Sequence, residues 1–296
     1  MAGDGTITWS ELWVETSARL GGDRREARWI CEEASGASGA EWLEEVDLPA
    51  GERAVARLDA LVARRLAGEP IQYVLGHWPF RHVDLLVDRR VLVPRPETEE
   101  VAGVALDLAR AMGGSGRRVT VVDLGTGSGA IGLALADELP LEGTSVWLTD
   151  ASADALDVAR ANLAGIGRAA ANVRVVEGRW FDALSSCGQE LRGAVDVIVS
   201  NPPYVALRDP RVEPSVEEWE PAGALFAGPD GLDDVRVIVA GAREWLAPAG
   251  ALVVEIGSDQ GAAVANLALE AGYDAVEVRL DVAGLDRILV ARQPRA

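Results

Sequence analysis

The stretch Asp123-Leu124-Gly125-Thr126-Gly127-Ser128-Gly129 decides the fold of this chain. It follows an apolar run at residues 119–122 that is typical of a buried strand, and it precedes a helical pattern at residues 130–139. Its glycines let the backbone turn tightly and approach a ligand closely at the start of a helix. Asp150 ends the next predicted strand, where a carboxylate can accept hydrogen bonds from ribose hydroxyls. These features predict a nucleotide-cofactor site at the carboxyl edge of a parallel sheet.

Strand and helix patterns alternate around that stretch. Helical segments separate most of the strands, but a short turn joins the last two, which predicts a hairpin at the edge of the sheet. The pattern indicates an α/β fold with a seven-stranded Rossmann-like sheet. The predicted strands cover residues 119–122, 146–148, 173–176, 195–199, 251–256, 275–280 and 288–291.

The beginning of the chain has a different pattern. Residues 1–73 contain four helical segments, one of them capped by Asp23, and they predict a small helical bundle. Residues 74–95 turn extended and predict a β-hairpin linker between two domains. Residues 96–296 form the second predicted domain, which starts with a helix at Pro96 followed by a glycine-rich loop at 113–116.

The segment Val199-Ser200-Asn201-Pro202-Pro203-Tyr204 ends the fourth predicted strand of this domain abruptly. Each proline fixes its own φ and pushes the preceding residue into an extended conformation, so the segment forms a stiff corner. The corner presents the Asn201 amide, two free carbonyl groups and the Tyr204 ring. It is suited to gripping one flat NH2 group, on an amide or on a base.

The glycine-rich turn alone fits two cofactors. Gly125-x-Gly127-x-x-Ala130 also matches the dinucleotide fingerprint, so NAD and S-adenosylmethionine (SAM) are both open at this point. The Asn201 corner decides between them, because it would face a group presented to the reactive end of the cofactor. A methyl donor needs such a corner, whereas a hydride-transfer enzyme has no evident need for it.

Composition limits the environment and the partners. The chain has 296 residues and a net charge of −19, which argues against broad, sequence-independent binding to nucleic acid. Its two cysteines, Cys31 and Cys187, cannot build a disulfide framework or a zinc site, and they favour a reducing compartment. There is no signal-peptide pattern and no apolar stretch of ~20 residues. We expect a cytoplasmic protein that contacts no membrane, binds no metal and is a monomer.

Several segments resemble known methyltransferases. The glycine-rich turn, Asp150 and Asn201-Pro202-Pro203-Tyr204 resemble class I SAM-dependent methyltransferases that act on planar amino nitrogens. Other segments resemble the release factor glutamine methyltransferase family (HemK/PrmC), and the proline-rich one before the first helix of the second domain is the most specific. These segments are Gly68-Glu69-Pro70-Ile71-Gln72-Tyr73, Pro94-Arg95-Pro96-Glu97-Thr98-Glu99, Glu220-Pro221 with Ala224-Leu225, Gly228-x-Asp230-Gly231-Leu232, and Glu255-Ile256-Gly257 with Gln260.

The resemblance implies a reaction and a site. A methyl group would move from SAM, leaving S-adenosylhomocysteine, to the side-chain amide nitrogen of the glutamine in the Gly-Gly-Gln loop of class I peptide chain release factors. Asn201, Pro202 and Tyr204 would be catalytic and, with Pro203, would bind the substrate. The Asn201 side-chain oxygen and the Pro202 carbonyl oxygen would accept the two N–H bonds of the amide. The implied cofactor-binding residues are Gly125, Thr126, Gly127, Ser128, Gly129, Asp150, Trp180 and Asn201, and residues 1–73 would recognise the substrate.

Four alternatives stay open, and one of them, a non-catalytic SAM-binding scaffold, is disfavoured by the intact Asn201. An amino methyltransferase acting on adenine or guanine in nucleic acid would share the corner, but the net charge and the lack of a basic, aromatic-rich segment weigh against it. A ribosomal-protein glutamine methyltransferase would differ in the segment from Pro94 to Glu99. A dehydrogenase would use the glycine turn for NAD, and binding of SAM or NAD would distinguish it.

Overall fold

The structure is a computed structural model that describes residues 7–113 and 117–295. Most of the loop predicted at residues 113–116, and the first six residues of the predicted bundle, lie outside the described residues. The chain divides into two compact units, Met1–His77 and Trp78–Ala296. Within the described ranges, every helix is too short or too polar to cross a bilayer.

The first unit is a helical bundle. Trp9 and Trp42 are buried in its core and pack edge to face, with their ring centroids 5.9 Å apart. The first helix begins at a capping box formed by Thr8 and Glu11, and the second begins at Asp23, whose carboxylate accepts two backbone N–H bonds. The helices are α1 Trp9–Arg19, α2 Arg24–Ser35, α3 Gly39–Glu45, α4 Glu52–Leu66 and α5 Ile71–Leu75.

Helix α5 and the residues after it correct the predicted linker. Val74 and Leu75 were expected to be extended but are helical, because α5 buries Val74 in the core of the bundle and ends at the left-handed Gly76. The hairpin itself is shorter than predicted and consists of β1 His77–Phe80 and β2 Val83–Leu86. Residues 87–95 form no strand, and at Val93 the backbone N–H donates to the Glu220 carboxylate in place of a neighbouring strand.

The second unit contains the predicted seven-stranded sheet. Its order is β5-β4-β3-β6-β7-β9-β8, in which the first five strands are parallel and β9 runs antiparallel to both of its neighbours. The α/β fold and the terminal hairpin are therefore confirmed. The strands are β3 Val119–Leu124, β4 Thr144–Asp150, β5 Val173–Glu177, β6 Val195–Ser200, β7 Leu246–Glu255, β8 Ala275–Leu280 and β9 Asp286–Arg292.

Seven α-helices lie among the described residues of this unit. Strand β6 is buried along its whole length, as expected for a strand covered by helices on both faces of a parallel sheet. Helices α9 and α10 were not predicted, since six or seven residues are too few to show helical periodicity. The helices are α6 Pro96–Met112, α7 Ala130–Glu138, α8 Ala153–Gly165, α9 Phe181–Cys187, α10 Pro214–Trp219, α11 Asp233–Trp245 and α12 Gly261–Glu270.

The sheet order determines where a ligand can bind. The chain moves outward from β3 to β4 and β5, and then returns to place β6 on the other side of β3. This reversal is the topological switch point, and ligands of open α/β sheets bind beyond the carboxyl ends of the strands at that point. The carboxyl ends of β3, β4, β5, β6 and β7 all lie at this edge.

Candidate active site

The glycine-rich turn after β3 is held in shape by the carboxylate of Asp123. One of its oxygens, Oδ2, accepts hydrogen bonds from the Thr126 hydroxyl at 2.6 Å and from the backbone N–H of Gly132 at 2.9 Å. Gly125 has a φ of 70° and Gly129 has a φ of 88°. Residues other than glycine rarely adopt this left-handed backbone conformation. The turn therefore depends on glycine at these positions and on a buried carboxylate beneath them.

Asp150, at the end of β4, faces the same turn. Its Oδ2 accepts from the backbone N–H of Gly127, and its Oδ1 accepts from that of Ser152, both at 2.9 Å. Burial raises the pKa of Asp150, and the backbone donors oppose this shift. A carboxylate in this position has further lone pairs that can accept hydrogen bonds from the two hydroxyls of a ribose.

Trp180, after β5, has an unusual backbone. Its φ of 46° is in a region where a bulky residue is rarely found, and such strain is typical of functional sites. The indole N–H donates to Asp234 Oδ1 at 3.1 Å. A Cβ built on Gly125 would lie 3.1 Å from the Trp180 ring, so the ring closes directly over the glycine turn.

These residues line one cavity of about 590 Å³. Most of the cofactor-binding residues predicted from the sequence face it, together with Pro203 of the corner. Gly129 is the exception, because it caps α7 without lining the cavity. The predicted residues on the wall are Gly125, Thr126, Gly127, Ser128, Asp150, Trp180 and Asn201.

A second cavity of about 560 Å³ adjoins the first one at the corner after β6. Asn201 lines both cavities, whereas Tyr204 lines the second and Pro202 is buried and lines neither. The Asn201 Nδ2 donates to Thr98 Oγ1 at 3.1 Å. Among the described residues, none donates to the Asn201 side-chain oxygen or to the Pro202 carbonyl oxygen. The Asn201 side chain, which lines both cavities, thus has an oxygen available to a ligand, whereas the Pro202 carbonyl oxygen belongs to a buried residue.

Segments that are distant in sequence support the corner from behind. The Gln260 amide donates to the Tyr204 carbonyl oxygen at 2.9 Å and accepts from the Gly257 N–H at 2.8 Å. A Cβ on Gly231 would lie 2.3 Å from the same Tyr204 oxygen, so only glycine fits there. The backbone before α6 is held in a similar way, because the buried Glu220 carboxylate binds Arg95.

Five polar side chains of this region were not predicted as site residues. Asp123 was visible as the first residue of the glycine-rich turn, while Thr98, Glu255 and Gln260 lie within segments that resemble the methyltransferase family. Asp234 carried no sequence signal, since it is one of several acidic residues at the start of α11. It lines the first cavity beside Trp180.

Asp123 provides a prediction for the pH dependence of stability. Burial raises the pKa of its carboxyl to about 7, and Oδ1 is buried with no partner among the described residues. The native state then binds more protons than the unfolded state between about pH 4 and pH 7, so stability falls as pH rises through this window. Burial also raises the pKa of Glu255 to about 7, which adds a decline of the same sign.

We expect Asp123→Asn to lose part of this decline, because the amide keeps an acceptor for Thr126 and Gly132 and carries no charge. Thermal unfolding of the cofactor-free protein between pH 5 and pH 8 measures the effect. Parallel pH curves for the variant and the wild type would contradict it.

Comparison with known proteins agrees with this geometry. A family model described as the methyltransferase small domain matches residues 107–215, and one described as the PrmC N-terminal domain matches residues 14–76. A release factor glutamine methyltransferase from Burkholderia pseudomallei is 42% identical over 92% of this chain and 93% of its own. One from Xylella fastidiosa is 43% identical over 84% of this chain and 85% of its own. A solved SAM-dependent methyltransferase from Agrobacterium tumefaciens covers 74% of this chain and 70% of its own, with a TM-score of 0.50 and 19% identity, and it shares the fold.

Taken with these relatives, the sheet order, the glycine turn and the carboxylate after β4 identify the chain as a SAM-dependent methyltransferase. Within that class, the chain belongs to the release factor glutamine methyltransferase family. The resemblance inferred from the sequence is thereby confirmed, and the dehydrogenase alternative is excluded.

The chemistry of the first cavity fits SAM. The cofactor carries a cationic sulfonium, and the carboxylates of Asp123, Asp150 and Asp234 all line the cavity. The unpartnered Asp123 Oδ1 is an acceptor without a donor. Arg90 and Arg179 also line this cavity, and a guanidinium there can bind the carboxylate of the methionine part of SAM.

Proposed function

We propose that this protein methylates the side-chain amide nitrogen of the glutamine in the Gly-Gly-Gln motif of class I peptide chain release factors, with N5-methylglutamine as the product. The carrying observation is the Asn201 side-chain oxygen, which has no donor among the described residues and belongs to a residue lining a cavity that fits SAM. The family to which the chain belongs supports the choice of a glutamine.

The proposed role of the corner is to orient a weak nucleophile. The lone pair of an amide nitrogen is delocalised into its carbonyl group, so the nitrogen attacks poorly. The Asn201 side-chain oxygen and the Pro202 carbonyl oxygen accept its two N–H bonds. These hydrogen bonds favour positive charge on the nitrogen. Tyr204 flanks the amide plane, and Pro203 stiffens the segment that carries these groups.

Positioning and exclusion of water supply most of the catalysis in this proposal, and well-oriented reactants can gain up to ~7–11 kcal/mol. SAM, when bound, supplies a methyl group on a sulfonium that is already a good leaving group, and S-adenosylhomocysteine is its product. The glycine turn, Asp150 and Trp180 would hold it, with the Asp150 carboxylate on the ribose hydroxyls. No strong base is required, because the nitrogen loses its proton readily after methylation.

Further expectations accompany this function. We propose that residues 1–73 form a substrate-recognition domain and that the hairpin region connects it to the catalytic domain. The match of residues 14–76 to the PrmC N-terminal domain supports this division. We keep the predictions of a monomer and of a cytoplasmic location, where its release factor partners act.

The direct test is incubation with labelled SAM and a purified class I release factor. We expect label on the wild-type release factor and none on a variant whose Gly-Gly-Gln glutamine is replaced by alanine. Equal labelling of both would move the substrate site elsewhere, and absence of label on the wild type would refute the substrate. A structured RNA and a DNA duplex in parallel reactions test the nucleic-acid alternative.

A further inference from the structure

A buried chain of hydrogen bonds connects the corner to Glu255, at the end of β7. Glu255 is 1% exposed, and its two oxygens have separate donors. Oε2 accepts from the Thr98 hydroxyl at 2.7 Å, and Oε1 accepts from the Tyr204 hydroxyl at 3.2 Å. Thr98 Oγ1 in turn accepts from Asn201 Nδ2 at 3.1 Å. One carboxylate therefore contacts Tyr204 directly and Asn201 through one hydroxyl.

The chemistry of the donors gives this chain a direction. An ionised carboxylate only accepts hydrogen bonds, so the Thr98 hydroxyl must donate its single proton to Glu255. Toward Asn201 the Thr98 hydroxyl oxygen can then act only as a hydrogen-bond acceptor. The Asn201 NH2 group therefore donates to Thr98 Oγ1, and the Asn201 side-chain oxygen points away from Thr98. The reversed amide would place oxygen against oxygen and leave both without a donor.

We propose that Glu255 is a positioning residue that, through Thr98, fixes which end of the Asn201 amide faces the substrate and, through Tyr204, holds the ring beside it. This inference rests on the proposed function, in which the Asn201 oxygen accepts an N–H bond of the substrate amide. Glu255 touches neither substrate nor cofactor in this role.

The charges around Glu255 make the chain sensitive to pH. Arg287 on β9 favours the ionised carboxylate, Glu97 on α6 disfavours it, and the Thr98 and Tyr204 hydroxyls stabilise it as donors. Burial outweighs the favourable groups and raises the pKa of Glu255 to about 7. A protonated Glu255 can donate to Thr98, whose hydroxyl is then free to donate to the Asn201 oxygen. The amide loses its fixed orientation as pH falls through this range.

Glu255→Gln tests the direction of the chain with little change in shape. We expect kcat for release factor methylation to fall by ~10-fold to 10²-fold, as misplaced groups do, while the Kd for SAM stays unchanged. Wild-type kcat should fall below about pH 7, and the variant should lack this limb. Glu270→Gln, on an exposed position of α12, is the matched control and should behave as the wild type.

Substitution of Thr98 gives a second, independent reading. Thr98→Val keeps the shape but removes the hydroxyl and should lower kcat as Glu255→Gln does, whereas Thr98→Ser keeps the hydroxyl and should retain most of the activity. A Glu255→Gln enzyme with wild-type kcat and pH profile, or a Thr98→Val enzyme equal to Thr98→Ser, would overturn the inference.

A spectroscopic measurement separates this inference from the proposed function. In 15N-labelled protein, the side-chain NH2 resonances of Asn201 should shift in Glu255→Gln and should titrate with a midpoint near pH 7 in the wild type only. An Asn201 signal that is identical in both proteins and does not titrate would refute the positioning role, whatever the substrate. A wild-type enzyme that leaves release factors unlabelled but shows the expected Asn201 signal would refute the substrate alone.

Discussion

Asn201→Ala should lower kcat for methylation of a release factor by about 10²–10³-fold, the usual cost of losing one preorganised group that stabilises charge. The variant removes the Asn201 side-chain oxygen, to which none of the described residues donates a hydrogen bond. We propose that this oxygen accepts an N–H bond of the substrate amide. The Pro202 carbonyl oxygen is kept, so part of the orientation survives. Single-turnover measurements with saturating SAM separate this loss from a change in cofactor binding.

The fold of the variant should be intact. Asn201 is only partly buried, and its loss leaves the Thr98 hydroxyl with its bond to Glu255. Asn172→Ala is the matched control, because its Nδ2 donates to the carbonyl oxygen of Leu141 far along the chain from the corner. Turnover by Asn201→Ala within a factor of about three of wild type would remove the acceptor role from the mechanism.

The second large effect is expected at Asp150. Asp150→Ala should weaken SAM binding by at least ~10-fold to 10²-fold, since a hydrogen bond to a charged group contributes about 1.5–3 kcal/mol. The loss has two parts, because the carboxylate is proposed to bind the ribose and also holds the backbone N–H groups of Gly127 and Ser152. Calorimetric titration with SAM and with S-adenosylhomocysteine measures the change directly.

Two controls separate these parts. Asp157→Ala removes an exposed carboxylate from α8, where it pairs with Arg160, and should leave the affinity unchanged. Asp150→Asn keeps an acceptor for one backbone N–H and loses the charge, so its affinity should lie between those of Asp150→Ala and the wild type. An unchanged Kd for Asp150→Ala would exclude the proposed ribose contact.

The α/β part of the fold was readable because its signals are local. Strands β3 and β6 are mainly apolar segments that lead into Asp-x-Gly-x-Gly-x-Gly and Asn-Pro-Pro-Tyr, and both segments are strands in the structure. The end of the predicted hairpin was wrong because a long-range contact replaced a local preference there. Residues 91–93 have the composition of a strand, yet Val93 donates its backbone N–H to Glu220, 127 positions away. Nothing within a short window of sequence carries that information.

The site divides in the same way. The sequence alone determined the fold class and located the glycine turn, the carboxylate after β4 and the Asn201 corner. The turn and the corner are runs of adjacent residues whose backbone preferences are intrinsic. Only the tertiary structure decided which way the Asn201 amide faces. That orientation depends on Thr98 and Glu255, which are 157 positions apart and meet only because β6 lies beside β7 and α6 packs against both strands. Hydrogen bonds between such residues follow from the order of strands in the sheet, and that order is a property of the packed core.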